Sequence, residues 1–313
     1  MTTGVVPARL GLPPGPGALG QRAAGENFPV ATRLLPRRVR ADLMAVYGFA
    51  RFVDYLGDEL DGGTTKRLAA LDDAETELAL AIDGRATHPV FAALTPVMSN
   101  HRLDPQPFRD LIEANRRDQL VTTYTSYDEL LDYCRLSANP VGRIVLGLAG
   151  VDAAAEPHLA ELSDGVCSGL QIVEHLQDVA EDARAGRTYL PADDMARFGV
   201  LKSDLVTAGP APARLRRLVA FETGRAKRLL GSGAELSGHL HGFLRLAVAG
   251  YAGGGLAQVA ALEACGYDVT SGLVKARRRA VARRSAAVLR RTGNPRRAGG
   301  AGRARGAGKL ALP

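Results

Sequence analysis

The chain has 313 residues, 46% of them hydrophobic, enough to bury a large core, which excludes a disordered, collagen-like or disulfide-stapled protein. Its formal charge of +7 is a property of one end: residues 271–313 hold 13 of the 40 basic residues and no Asp or Glu, so residues 1–270 carry 27 basic side chains against all 33 acidic ones. A nucleic-acid partner is therefore not expected, and the end of the chain after residue 292 has no aromatic side chain on which bases could stack.

In chain order, residues 1–24 are rich in Gly, Pro and Ala and lack the apolar run of a secretory signal, so they are expected to be disordered in a cytoplasmic protein. Residues 25–292 form the expected folded domain. Apolar residues there recur at three- and four-residue spacing, which predicts an all-α chain. The first helix is expected from Pro36 to the Gly62-Gly63 stop, with further helices near 65–83, 89–100, 105–119, 126–149, 153–185, 211–231, 236–263 and 270–291. Pro140 lies inside the 126–149 pattern and should kink it. The apolar stretch Phe243–Leu262 is interrupted by Arg245, Gln258 and Gly253-Gly254-Gly255, so it reads as a core helix and not as a membrane span. Residues 293–313 are too poor in large apolar side chains to pack, and read as a disordered basic tail suited to peripheral contact with anionic lipid on the inner face of a membrane. Cys134, Cys167 and Cys265 show no CxxC spacing and read as reduced core residues.

Two clusters carry chemistry. Tyr47, Arg51, Asp54 and Asp58 fall on one helical stripe. Glu174, Asp178 and Asp182 recur at every fourth residue, with Gln171 one heptad before Asp178. Like charges at that spacing destabilise a helix by roughly 0.2–0.5 kcal/mol per pair, and a lone acidic pair is usually a solvated face. Two such clusters on apolar-patterned helices, each accompanied by Arg and Tyr, instead suit Mg²⁺ ions bridging a diphosphate. His175, His239 and His241 read as ordinary surface or core histidines. No Gly-rich stretch follows a strand or matches GxGxxG, so NADPH is not expected.

The segments FPVATRLLP with YGFARFVDYLGDE, DYCRLSANPVGR at 132–143, and QIVEHLQDVAEDARAGRTYLP at 171–191 resemble the squalene and phytoene synthase family. Within it, ENFPV at 26–30, RDLIEANRRDQ at 109–119 and CRLSANPVGR at 134–143 look most like the hopanoid-pathway branch that converts presqualene diphosphate to hydroxysqualene. The resemblance implies an isoprenoid synthase helical bundle with a deep central cavity. It implies two or three Mg²⁺ ions on Asp54, Asp58, Glu174, Asp178 and Asp182, and a lipid diphosphate substrate. Tyr47 and Arg51 would face that substrate, Tyr133, Gln171 and Tyr189 would line the cavity, and Asn27 and Phe28 would form a flap over the diphosphate. Val141, Gly142 and Arg187 would contribute to substrate binding. The alternative within the family is condensation of two prenyl diphosphates to presqualene diphosphate, squalene or phytoene. The chain departs from the family pattern in Tyr55, Glu174 and Gln177, and in Gly272, where an Arg is usual and Lys275 lies nearby.

Overall fold

The structure is a computed structural model that describes residues 37–272 and 274–293. Asn27, Phe28, the expected terminal segment 1–24 and, but for Gly293, the expected segment 293–313 lie outside the described residues. The described residues are helical, with a single isolated β-bridge between Thr123 and Thr188. No helix among them is long and apolar enough to cross a membrane.

Two apolar cores organise the bundle. The first is built by α1 (Arg37–Asp54), a π-helical turn (Tyr55–Glu59), α2 (Gly63–Ile82), α3 (Pro89–His101) and α4 (Gln106–Asp118). Phe49, Phe52, Phe91 and Phe108 are fully buried in it and meet edge to face, a geometry that contributes beyond the area buried. The second core is built by α5 (Tyr127–Ser137), α7 (Pro157–Gln177), α8 (Val179–Arg184), α9 (Ala192–Phe198), α10 (Lys202–Leu205), α11 (Ala213–Gly233) and α13 (Gly242–Ala264), while a smaller cluster joins α6 (Asn139–Leu148) to α12 (Leu236–His239) through Leu146 and Leu236, and another seats Val288 of α14 (Arg278–Arg291) with Ala249 and Ala252 of α13. Its centre includes Leu130, Ile172, Leu215, Leu218, Leu230 and Leu262.

Several helices depart from the sequence expectation for identifiable reasons. The first helix ends its α-geometry at Asp54 and continues as a π-turn, closed by Leu60 N donating to the carbonyl of Tyr55. The 126–149 pattern is interrupted at Ala138 alone, which keeps a helical conformation, and Pro140 lies in the first turn of α6, where its missing N–H costs nothing. The long 153–185 helix begins only at Pro157 and pauses at Asp178. The donors on either side still bond (Asp178 N to Glu174 O, Asp182 N to Asp178 O), so the acidic residues stay in nearly helical succession. Leu240 and His241, both extended, divide the expected 236–263 helix, and the second part opens on Gly242 at φ +58. The last helix starts at Arg278 instead of 270, and the short helices α9 and α10 had no sequence signal of their own.

Close helix contact requires small residues. A Cβ on Gly233 of α11 would lie 2.6 Å from Val166 N and 2.7 Å from Leu162 O of α7. Neither partner is a side chain that can rotate away, so Gly233→Ala is expected to lower stability by about 1–3 kcal/mol, as overpacking does. Gly231 on the same helix has nothing within 4 Å of such a Cβ, so Gly231→Ala should be neutral or stabilising by up to about 1 kcal/mol. Thermal denaturation of the two variants side by side checks the contrast.

Candidate active site

The site lies at the seam between the two cores. From the first side, Arg51 Nη1 reaches Asp54 Oδ2 at 3.4 Å, and its Nη2 lies 3.9 Å from Glu59 Oε1. Tyr47, one turn earlier, is half-buried. The π-turn is clasped by α4: Gln119 Nε2 donates to Gly57 O at 2.9 Å, and Asn115 Nδ2 reaches Asp54 Oδ1 at 3.4 Å. A Cβ at Gly57 would stand 2.2 Å from Asn115 Oδ1, so a larger residue there would have to push the Asn115 side chain aside. Widening the helix at this point turns Asp58 out of the expected stripe. Instead of sharing a partner with Asp54, Asp58 faces Arg187, 3.4 Å away.

Arg187 arrives from the second side because residues 188–193 run beside 122–125, with Thr188 N, Ala192 N and Asp193 N donating to the carbonyls of Thr122, Tyr124 and Thr125. That pairing delivers Arg187 and Tyr189 together. Asp58, Asp118 and Asp182 all act electrostatically on the guanidinium, whose Nε is buried with no hydrogen-bond partner. Asp118 is the residue that motif spacing missed. It ends α4, accepts a hydrogen bond from Tyr133 Oη at 2.9 Å, and leaves Oδ1 buried and unsatisfied.

Burial governs the titration of these carboxyls. Asp118 is pushed up to about 6, first by desolvation and further by Asp58 and Asp54, against the opposing pull of Tyr133 and Arg187. Asp182 also rises to about 6 through burial and the charges of Asp178, Glu181 and Glu174, opposed by Arg187. Asp178 is raised by burial and Glu181, with Lys275 opposing. Lys275 reaches that position because Gln177 Nε2 and Gln258 Nε2 both donate to Val274 O (2.7 and 2.6 Å), while Ala276 N donates to Gln258 Oε1 at 2.8 Å. Gln177 thus removes one charge from the site and secures the strand of backbone that carries another.

Aromatic side chains close the inner wall. Tyr189 stacks on His175 with centroids 3.6 Å apart, and Tyr124 and Tyr133 each lie 5.7 Å from Tyr189. Gln171 Nε2 donates to His175 Nε2 at 3.0 Å, which leaves the ring proton on Nδ1, 3.9 Å from Asp182. Burial first, and Arg187 second, lower His175 to about 3, so the imidazole is neutral. With these rings packed together, the cavity lined by Leu130, Ile172, His175, Tyr189, Leu190 and Glu222 has a volume of about 10 Å³, room for roughly one water. The structure gives Gly142 a packing role: a Cβ on it would meet Ser163 Oγ and Cys167 Sγ of α7 at 2.4 and 2.7 Å. Neighbouring Val141 is 39% exposed. Glu174 is exposed at the rim.

Among the described residues no three His, Cys, Asp or Glu side chains converge tightly enough to hold a metal ion unaided. The donor set still fits Mg²⁺, which binds through one or two carboxylates and fills its remaining positions with water and phosphate oxygens. An orphaned guanidinium N–H thus sits beside carboxylates destabilised by burial, polar groups that the protein itself leaves incompletely satisfied.

The model of the family described as Squalene/phytoene synthase matches residues 21–285. The chain belongs to the squalene/phytoene synthase family. It is 36% identical over 228 residues to a hydroxysqualene synthase of Zymomonas mobilis, covering 71% of this chain and 73% of that one. It is also 34% identical over 233 residues to a phytoene synthase of Arthrospira platensis, covering 70% and 74%. Among solved structures, a squalene synthase from Alicyclobacillus acidocaldarius superposes with a TM-score of 0.73 at 39% identity over 80% of this chain and 94% of that one. A ligand-bound dehydrosqualene synthase gives a TM-score of 0.75 at 25% identity over 87% and 94%. The bundle is thus a squalene synthase-type isoprenoid synthase fold, in a family of enzymes that use prenyl diphosphates.

A pH dependence follows from Asp118. Its folded carboxyl holds the proton more tightly than the unfolded chain does, so its stabilising contribution is complete below about 3.8 and lost as pH rises past about 6. Metal-free protein should therefore gain stability from this group between pH 7.5 and pH 5, and Asp118→Asn should flatten that part of the profile. Urea unfolding of both proteins at several pH values is the check, and an unchanged slope in the variant contradicts the assignment.

Proposed function

We propose that the protein converts presqualene diphosphate to hydroxysqualene and inorganic diphosphate, using Mg²⁺ and no NADPH. The observation that carries this reading is the seam: Arg187, with its unpartnered buried Nε, joins Asp58, Asp118 and Asp182 beside an aromatic wall. Support for the product comes from the hydroxysqualene synthases of Zymomonas mobilis and Rhodopseudomonas palustris, each 36% identical to the chain.

Asp54 and Asp58 from one side, and Asp178, Asp182 and Glu174 from the other, would hold two or three Mg²⁺ ions, which supply Lewis-acid stabilisation of the departing diphosphate when bound. Arg51, Arg187 and Lys275 add positive charge where the leaving oxygens collect it. Asn27 and Phe28 would cover that end, and Tyr47 and Val141 would contact the chain of the substrate. The carbon–oxygen bond breaks with both electrons leaving on diphosphate. The carbocation is then sheltered by Tyr133 and Tyr189, whose faces stabilise a cation by roughly 0.5–2 kcal/mol each. His175, held neutral, adds no repelling charge. Gln171 fixes its tautomer and so keeps Tyr189 in its stack. One water donates a lone pair to carbon, and the surplus proton passes to the released diphosphate.

Removing one electrostatic stabiliser typically costs 10²–10³-fold in rate, so Asp54→Ala and Asp178→Ala should each lower turnover by roughly 10²-fold or more with helix content unchanged. Near-normal turnover in both would refute the two-cluster site. The branch is tested with presqualene diphosphate, Mg²⁺ and ¹⁸O-water, with and without NADPH. The expected product is an alcohol carrying solvent oxygen, formed equally under both conditions. The similarity to the Arthrospira platensis phytoene synthase favours a second reading, condensation of two prenyl diphosphates. Efficient consumption of farnesyl or geranylgeranyl diphosphate alone would select it.

A further inference from the structure

Helix α14, outside the site, is unusual in composition and placement. Arg277, Arg278, Arg279, Arg283, Arg284, Arg290 and Arg291 are all exposed, and the sequence contains no Asp or Glu after Asp268. None of the seven meets a carboxylate among the described residues. Seven like charges within fifteen positions repel one another, so the helix exists because its other face is anchored: Val288 is buried with Ala249 and Ala252 of α13, Val166 of α7 and Ala234 just after α11. The seat on α13 is so close that a Cβ on Gly253 would lie 2.5 Å from Ser285 Cα. Arg245 of α13 donates to the carbonyl of Leu289 at 3.0 Å and also to Gly293 O. The next residue, Leu246, is 57% exposed, which sets a large apolar side chain beside the C-terminal end of the arginine helix. At its other end, α14 begins directly after the backbone that Gln177 and Gln258 hold beside Asp178.

A rigid basic face with an apolar side chain at one end, running away from a site for an amphiphile, matches the chemistry of a bilayer surface. We propose that α14, with Leu246 at its edge, docks the protein onto an anionic bilayer, so that lipid substrate reaches the site without crossing water. The role of substrate delivery rests on the reaction proposed above; the docking does not. Arg279, Arg283 and Arg290 occupy the outward stripe opposite buried Val288, and they make the contact. Lipid is favoured over nucleic acid because no aromatic side chain interrupts residues 274–293, whereas an exposed leucine serves a membrane.

The test is co-sedimentation of the full chain with vesicles of equal parts phosphatidylcholine and phosphatidylglycerol at low salt. Each arginine near an anionic surface contributes about fivefold in partition, so Arg279→Gln/Arg283→Gln/Arg290→Gln should weaken binding by about two orders of magnitude. Leu246→Ser should weaken it less, and high salt or pure phosphatidylcholine should abolish it. Circular dichroism verifies that the variants are folded. Substituting the tail arginines Arg296, Arg297, Arg303 and Arg305 by Gln should have a smaller effect than the helix variant. Binding that depends on the tail and not on the helix overturns the proposal, as does tighter binding to duplex RNA than to vesicles. Wild-type protein that binds vesicles through α14 but forms no hydroxysqualene overturns the reaction and supports the docking surface.

Discussion

Burying Asp118 and Asp182 in a seam beside other carboxylates is costly, and the architecture depends on how that repulsion is contained. Arg187 is the internal counter-charge, shared among Asp58, Asp118 and Asp182. It does not neutralise them all, since Asp118 and Asp182 still titrate near 6. The protein therefore carries an electrostatic debt at neutral pH that protons relieve and that metal with diphosphate would relieve more effectively. Such a site is weakly satisfied by design of its chemistry: groups that met all their partners within the protein would have none to offer a substrate.

The helices around the seam are held by the two cores, the second of which includes Tyr124 and Tyr133 of the aromatic wall itself. Four interlocking phenylalanines fix α1, α3 and α4, so the π-turn can be wide and glycine-containing without loss of register elsewhere. On the other side, the close contact of α7 with α11 through Gly233 holds the second acidic run. Polar clasps, in particular Gln119 on Gly57 and Gln177 on Val274, then set the fine positions of Asp58 and Lys275. Stability and function are divided in this way between apolar interiors and a polar joint.

The neutral state of His175 illustrates how burial assigns chemistry. In water an imidazole titrates near 6.5, but burial and Arg187 move this one to about 3. A cationic ring under Tyr189 would oppose the carbocation of the proposed reaction, whereas a neutral one gives an apolar, polarisable floor. Gln171 completes the arrangement by fixing which nitrogen holds the proton.

By itself the sequence determined the helical class, the location of the two acidic clusters and the separation of a basic end from an acidic body, because periodicity and charge count depend only on neighbours along the chain. Motif resemblance added the family and pointed to Arg51, Tyr133, Gln171 and Tyr189. Tertiary structure alone decided that Asp58 would turn toward Arg187, since a π-turn depends on how Asn115 and Gln119 approach from another helix. It alone revealed Asp118, whose burial and partnership with Tyr133 leave no trace in local spacing, and it gave Gly142 to helix packing. Contacts between residues far apart in sequence, such as Asp58 with Arg187 or Gln177 with Val274, are fixed by packing of whole helices, and a reading confined to local patterns has no access to that geometry.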